Sequence, residues 1–135
     1  MAKRRRGSRH NPRARVHVGF ERLVERALAG IPSPFREFLR EVAIVIDDEP
    51  SARQLEENDL GAGDTLYGLY EGVPRTEYAA DWVAMPNRIT LFRLPLEEDF
   101  PDPDDLADEV RATVIHELAH HLGIDEDRLG ELGVD

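Results

Sequence analysis

Residues 102–123 read DPDDLADEVRATVIHELAHHLG, and this stretch decides the fold. Asp102 is a natural N-cap, Pro103 fits the first helical position, acids complement the first turn, and Gly123 supplies a left-handed stop. The pattern predicts one helix over 103–122, about 30 Å long at 1.5 Å per residue. Val114, Ile115, Leu118, Ala119 and Leu122 form its core face by periodicity. Inside the helix lies His116-Glu117-Leu118-Ala119-His120, an H-E-x-x-H motif. Residues four apart stack on one helical face, so both imidazoles can converge on a single ion at about 2.0–2.1 Å. Glu117 sits about 100° round the helix from His116, displaced from that pair yet close enough to bond a water on the ion. It is the candidate general base. His121 is turned about 100° from His120, which suits packing or support of a ligand rather than ligation.

Working outward, Phe20, Leu23, Val24, Ala27 and Leu28 follow helical spacing until Gly30, predicting a helix over 17–29. Ser33 and Pro34 read as N-cap and first position of a short second helix with Phe35, Phe38 and Leu39 on its apolar face. The β-branched run Val42 to Ile46 reads as a central strand covered on both faces. A loop follows over 50–63, with room for a helical turn between Ala52 and Leu60. Strands are expected over 65–70 and 89–94 as an antiparallel pair, with Tyr78, Trp82 and Met85 packing under the connection between them. Residues 97–101 read as an acidic, proline-punctuated loop. The sum is an α+β fold: N-terminal helices, a small mixed sheet and a long C-terminal helix.

The chain has 135 residues, 41% hydrophobic and 33% charged, enough for one domain with a real core. No apolar stretch approaches the roughly 20 residues of a membrane helix. No apolar segment follows Lys3 to Arg6 before Asn11 and Pro12, and there is no cysteine, so the expectation is a cytoplasmic protein without disulfides or thiol chemistry. Any metal is left to His and carboxylate. The net charge of −11 divides unevenly: residues 1–15 hold seven of the 17 basic residues and no acid, leaving 10 basic against 28 acidic residues, or −18, on the remainder. The division proposed is a basic tail, 1–15, expected to be a solvated arm that also holds His10, and a domain over 16–135. The acidic body repels phosphate, so nucleic acid is expected as a partner only through the Arg-rich tail.

A zinc with two histidines needs a third protein ligand and an open position. The sequence ends 15 residues after His120, and Gly123 lets the chain reverse. The order of preference for the third ligand is therefore Glu126, then Asp127, then Asp125. Here the stretch His116 to Leu132, HELAHHLGIDEDRLGEL, resembles the signature of the short bacterial zincin-like metallopeptidases. It is similar also to the H-E-x-x-H-x-x-G-x-x-H/D pattern of metzincins and snapalysin. The resemblance implies a minimal zincin-like fold, one zinc ion per chain held by His116, His120 and Glu126, and Glu117 as base. Position 126 departs from the pattern, which has Asp or His there, and no methionine follows Gly123 to make a metzincin Met-turn.

The activity so implied is zinc-dependent hydrolysis of peptide bonds, in which Glu117 takes a proton from the zinc-activated water and passes it to the leaving amine. Peptide or protein is the expected substrate, added as a strand to a sheet edge along 89–94, with a phenol from Tyr67, Tyr70 or Tyr78 near the oxyanion. The alternative reading is a metal-stabilised zincin-like module that binds protein without catalysis. Two histidines and a carboxylate also suit ferrous iron, but the H-E-x-x-H helix favours zinc.

Overall fold

The computed structural model describes residues 14–61, 63–72, 87–124 and 126–132, with residues 14–18, 126 and 132 as backbone only. Helix α1 spans Ala14–Ala29 and buries Phe20, Val24 and Ala27. It thus begins just inside the basic segment, the rest of which, with His10, lies outside the described residues. Its C-terminal carbonyls are met by two guanidinium groups: Arg111 Nε donates to Ala27 O at 3.3 Å and Arg36 Nη2 to Ala29 O at 3.5 Å. Cations at that end oppose the helix dipole.

Helix α2, Phe35–Phe38, is followed by a 3-10 turn, Leu39–Glu41. Pro34 rather than Ser33 occupies the N-cap, and Ser33 Oγ donates to the Glu37 carboxylate at 2.8 Å instead of capping the backbone. Strand β1, Val42–Asp47, leads to helix α3, Ala52–Glu57. The helical turn expected in the 50–63 loop is there, closed by a capping box in which Gln54 N donates to Ser51 Oγ and Ser51 N to Gln54 Oε1. Strands β2, Gly68–Glu71, and β3, Asn87–Phe92, complete a three-stranded sheet of order β1-β3-β2. β2 is antiparallel to β3, as the sequence suggested, and β1 is parallel to it.

That order corrects two expectations. β3, not β1, is the central strand, and it therefore offers no edge to a peptide. β1 is an edge strand with Ala43 and Asp47 exposed and the rest only partly covered. Its unbroken β-branched run imitates a two-sided strand, but Val42, Ile44 and Ile46 pack partly on the core while on the opposite face Ala43 and Asp47 are exposed and Val45 is only partly covered. A third correction concerns the segment after β3. The strand stops at Phe92, and Arg93–Asp99 form helix α4 in place of the expected loop. Pro95 falls in the first turn, where an amide has no intrahelical partner to lose. The buried Arg93 guanidinium anchors the helix, donating to Asp48 at 2.9 Å and Glu97 at 2.8 Å.

Helix α5 spans Pro103–Leu122 as predicted, with Asp102 accepting from Asp104 N and Asp105 N, and Gly123 in the left-handed region at φ 78°. Leu122 alone departs from the expected core face, at 37% exposure. A last helix, α6, spans Glu126–Leu132, and its Leu129 turns back into the main core. That core lies between α1, α5 and the sheet face carrying Ile89 and Leu91. Leu55, Leu66, Leu69 and Phe92 form a smaller cluster on the other face. The molecule is an α+β domain in which one long helix crosses a small mixed sheet.

Candidate metal centre and active site

Gly68 sets how α5 meets the sheet: a Cβ there would stand 2.5 Å from Thr113 Cγ2. β2 and α5 therefore approach closely. Two residues on along the strand and one helical turn on along α5, Tyr70 meets Glu117, whose Oε1 accepts the Tyr70 backbone N–H at 2.8 Å. Gly68 and Tyr70 are two apart on the strand and Thr113 and Glu117 four apart on the helix, so the two contacts are neighbours along one strand–helix seam. Glu117 is only 4% exposed, unusual for a carboxylate, and the charge-assisted bond from the strand edge compensates part of its desolvation.

Glu117 and His120 line a cleft of about 320 Å³ with Asn58, Leu69, Tyr70 and His121. His120 is exposed on the last turn of α5, and half-buried His116 sits one turn earlier. His116 Nδ1 lies 2.9 Å from the Ala112 carbonyl oxygen, an atom that can only accept. In that bond Nδ1–H donates, which leaves Nε2 with the lone pair a metal needs. His121 stacks on the Tyr70 ring with centroids 4.1 Å apart and planes 19° apart, the packing role expected for it.

The third expected ligand is placed only in part. Glu126 opens α6, three residues past the left-handed Gly123, with its side chain outside the described residues; Asp125 lies outside them altogether, and Asp127 is exposed. Among the described residues no three His, Asp or Glu side chains gather into a metal-binding group. The two imidazoles nonetheless fit zinc by donor type and spacing, and one is already oriented by a backbone carbonyl.

Of the three tyrosines, Tyr67 is committed elsewhere, its hydroxyl donating to Asp99 and its ring meeting Phe100 edge-on. Tyr78 lies outside the described residues, as do Trp82, Asp81 and Met85. Tyr70 alone is seen at the cleft. Sequence reading did not anticipate the Tyr70 amide or Asn58: the first acts through its backbone across 47 positions of sequence, and the second comes from the turn ending α3. Neither position carries a local signal.

A small mixed sheet crossed by a helix that holds two histidines and a buried glutamate defines the zincin-like class. The family model for zincin-like metallopeptidases matches residues 39–134, and the chain belongs to that family. A comparison with curated proteins gives no match. Among the described residues no helix is long and apolar enough to cross a membrane.

Proposed function

We propose that this protein is a zinc-dependent peptidase in which His116, His120 and Glu126 hold one zinc ion and Glu117 is the general base. The observation that carries the reading is the Glu117 carboxylate, buried in the helix between the two histidines, bonded to a strand-edge amide and lining an open cleft. When bound, zinc supplies Lewis acidity that polarises a carbonyl and makes water easier to deprotonate. The chain's own residues do the rest. Glu117 takes the proton of the attacking water and returns it to the leaving amine. The Tyr70 amide holds Oε1 in place, so the base is oriented before the substrate arrives. The His116 bond to Ala112 fixes the imidazole tautomer that can ligate. The edge that a peptide can join is β2, which borders the cleft, rather than the central β3.

The catalytic unit is the domain over 16–135, with the basic tail outside the chemistry, and a cysteine-free chain suits the reducing cytoplasm. Glu117→Gln tests the assignment. The variant is expected to retain zinc, measured by elemental analysis, and to lose at least about 100-fold in kcat on a peptide library. Equal cleavage by variant and parent removes Glu117 as base. Zinc retention with no cleavage by the parent favours the protein-binding alternative.

A further inference from the structure

The Tyr70–His121 stack is a partition with a cavity on each side. One side is the cleft of Glu117 and His120. Against the other lies a pocket of about 170 Å³ formed by Phe38, Val42, Leu118 and Leu122. Glu41, Asn87 and the stacked Tyr70 and His121 complete its lining. Phe38 and Leu122, at 38% and 37% exposure, are the large hydrophobic side chains left exposed among the described residues, and both belong to this pocket. Isolated exposed apolar groups are ordinary, but two converging on one concavity beside a polar cleft mark a binding surface.

Resting on the peptidase reading above, we infer that this pocket is the specificity subsite of the enzyme and takes a Leu- or Phe-sized side chain of the peptide substrate. Two observations select that occupant over a separate partner. The pocket shares its wall with the cleft, so a peptide lying across the Tyr70–His121 stack presents one residue to Glu117 and a neighbouring side chain to the pocket. Its volume also matches one side chain, since an apolar cavity of about 150 Å³ accommodates a benzene ring. The acidic body supplies the complementary restriction: with 28 acidic against 10 basic residues over 16–135, an acidic side chain is repelled where an apolar one is drawn in. Discrimination then comes from buried apolar area, for which a few methylenes give roughly 10–200-fold.

The experiment has two arms, both on the full chain loaded with zinc. In the first, N-acetyl-leucinamide, N-acetyl-phenylalaninamide and the α-amide of N-acetyl-aspartic acid, whose side-chain carboxylate is free, are titrated against labelled protein by NMR. The first two are expected to shift the Phe38 and Leu122 signals and the third to leave them, with the shifts lost in Leu122→Trp, which fills the pocket from its exposed side. In the second, a peptide library is digested and the products are sequenced by mass spectrometry. The parent is expected to prefer Leu, Phe or Met over Asp by about tenfold or more at one position beside the scissile bond. Leu122→Trp and Phe38→Ala are each expected to reduce that preference at least fivefold. Absence of shifts from the apolar amides overturns the pocket. Cleavage without the preference, or with a preference both variants preserve, overturns the pocket and leaves the peptidase reading intact. Shifts with no cleavage of any peptide overturn the peptidase reading, and the substrate subsite with it.

Discussion

Among the described residues Glu117 is the one carboxylate that is buried, and the Tyr70 amide donates to it. A buried carboxylate is costly unless it is hydrogen-bonded, and here a backbone donor supplies one such bond. His116 too is held by the backbone, its Nδ1 bonded to the Ala112 carbonyl one turn earlier. The third ligand is the residue at which the site is most directly tested. Glu126→Gln is expected to weaken zinc binding by more than the roughly 10–100-fold typical of losing a supporting partner, whereas Asp127→Asn leaves it within about twofold. Competition titration with a zinc chelator reads both. The reverse order moves the ligand to Asp127.

Between elements, the contact of β2 with α5 holds the Glu117 carboxylate in place. Gly68 is the point of closest approach, and Gly68→Val puts new carbon where Thr113 Cγ2 already stands. Overpacking of this kind costs about 1–3 kcal/mol, to be read as a shift in the urea midpoint. Because Tyr70 follows on the same strand face, the variant is also expected to displace the Tyr70 amide from Glu117. Faster hydrogen exchange at Tyr70 than elsewhere in β2 is the expected sign, and unchanged exchange there separates the two contacts. α4 shows a different logic: Arg93, held by Asp48 and Glu97, ties this helix to the end of β1 and so joins the C-terminal ends of the two parallel strands.

For the whole molecule, the proposed zinc ligands come from α5 and from the start of α6, so metal binding is expected to be coupled to folding. An ion bound only by the folded state adds RT ln(1 + [L]/Kd), about 2.7 kcal/mol at a hundredfold excess over Kd. At about 3 °C per kcal/mol for a domain of this size, zinc is expected to raise the melting temperature by roughly 8 °C, and a chelator to reverse it. His116→Ala with His120→Ala is expected to abolish both the shift and the one zinc per chain. A parent that melts at the same temperature with and without zinc removes the metal centre from the account of this fold.

The sequence by itself determined whatever depends on near neighbours. Helix α5 runs from its Asp102 cap to its Gly123 stop because cap, proline, periodicity and glycine all act within a turn of where they stand. The pairing of His116 with His120 follows from the same helix, and the α+β class follows from the change of period along the chain. The tertiary structure decided what depends on partners distant in sequence. Val42 to Ile46 looks like a buried central strand, yet pairing order belongs to the sheet as a whole and made β3 central instead. Residues 97–101 look like a loop, yet buried Arg93 and its two carboxylates stabilise a helix over most of them. Tyr70 reaches the site through its backbone amide, which every residue but proline possesses. Only the approach of β2 to α5 brings that one amide to Glu117.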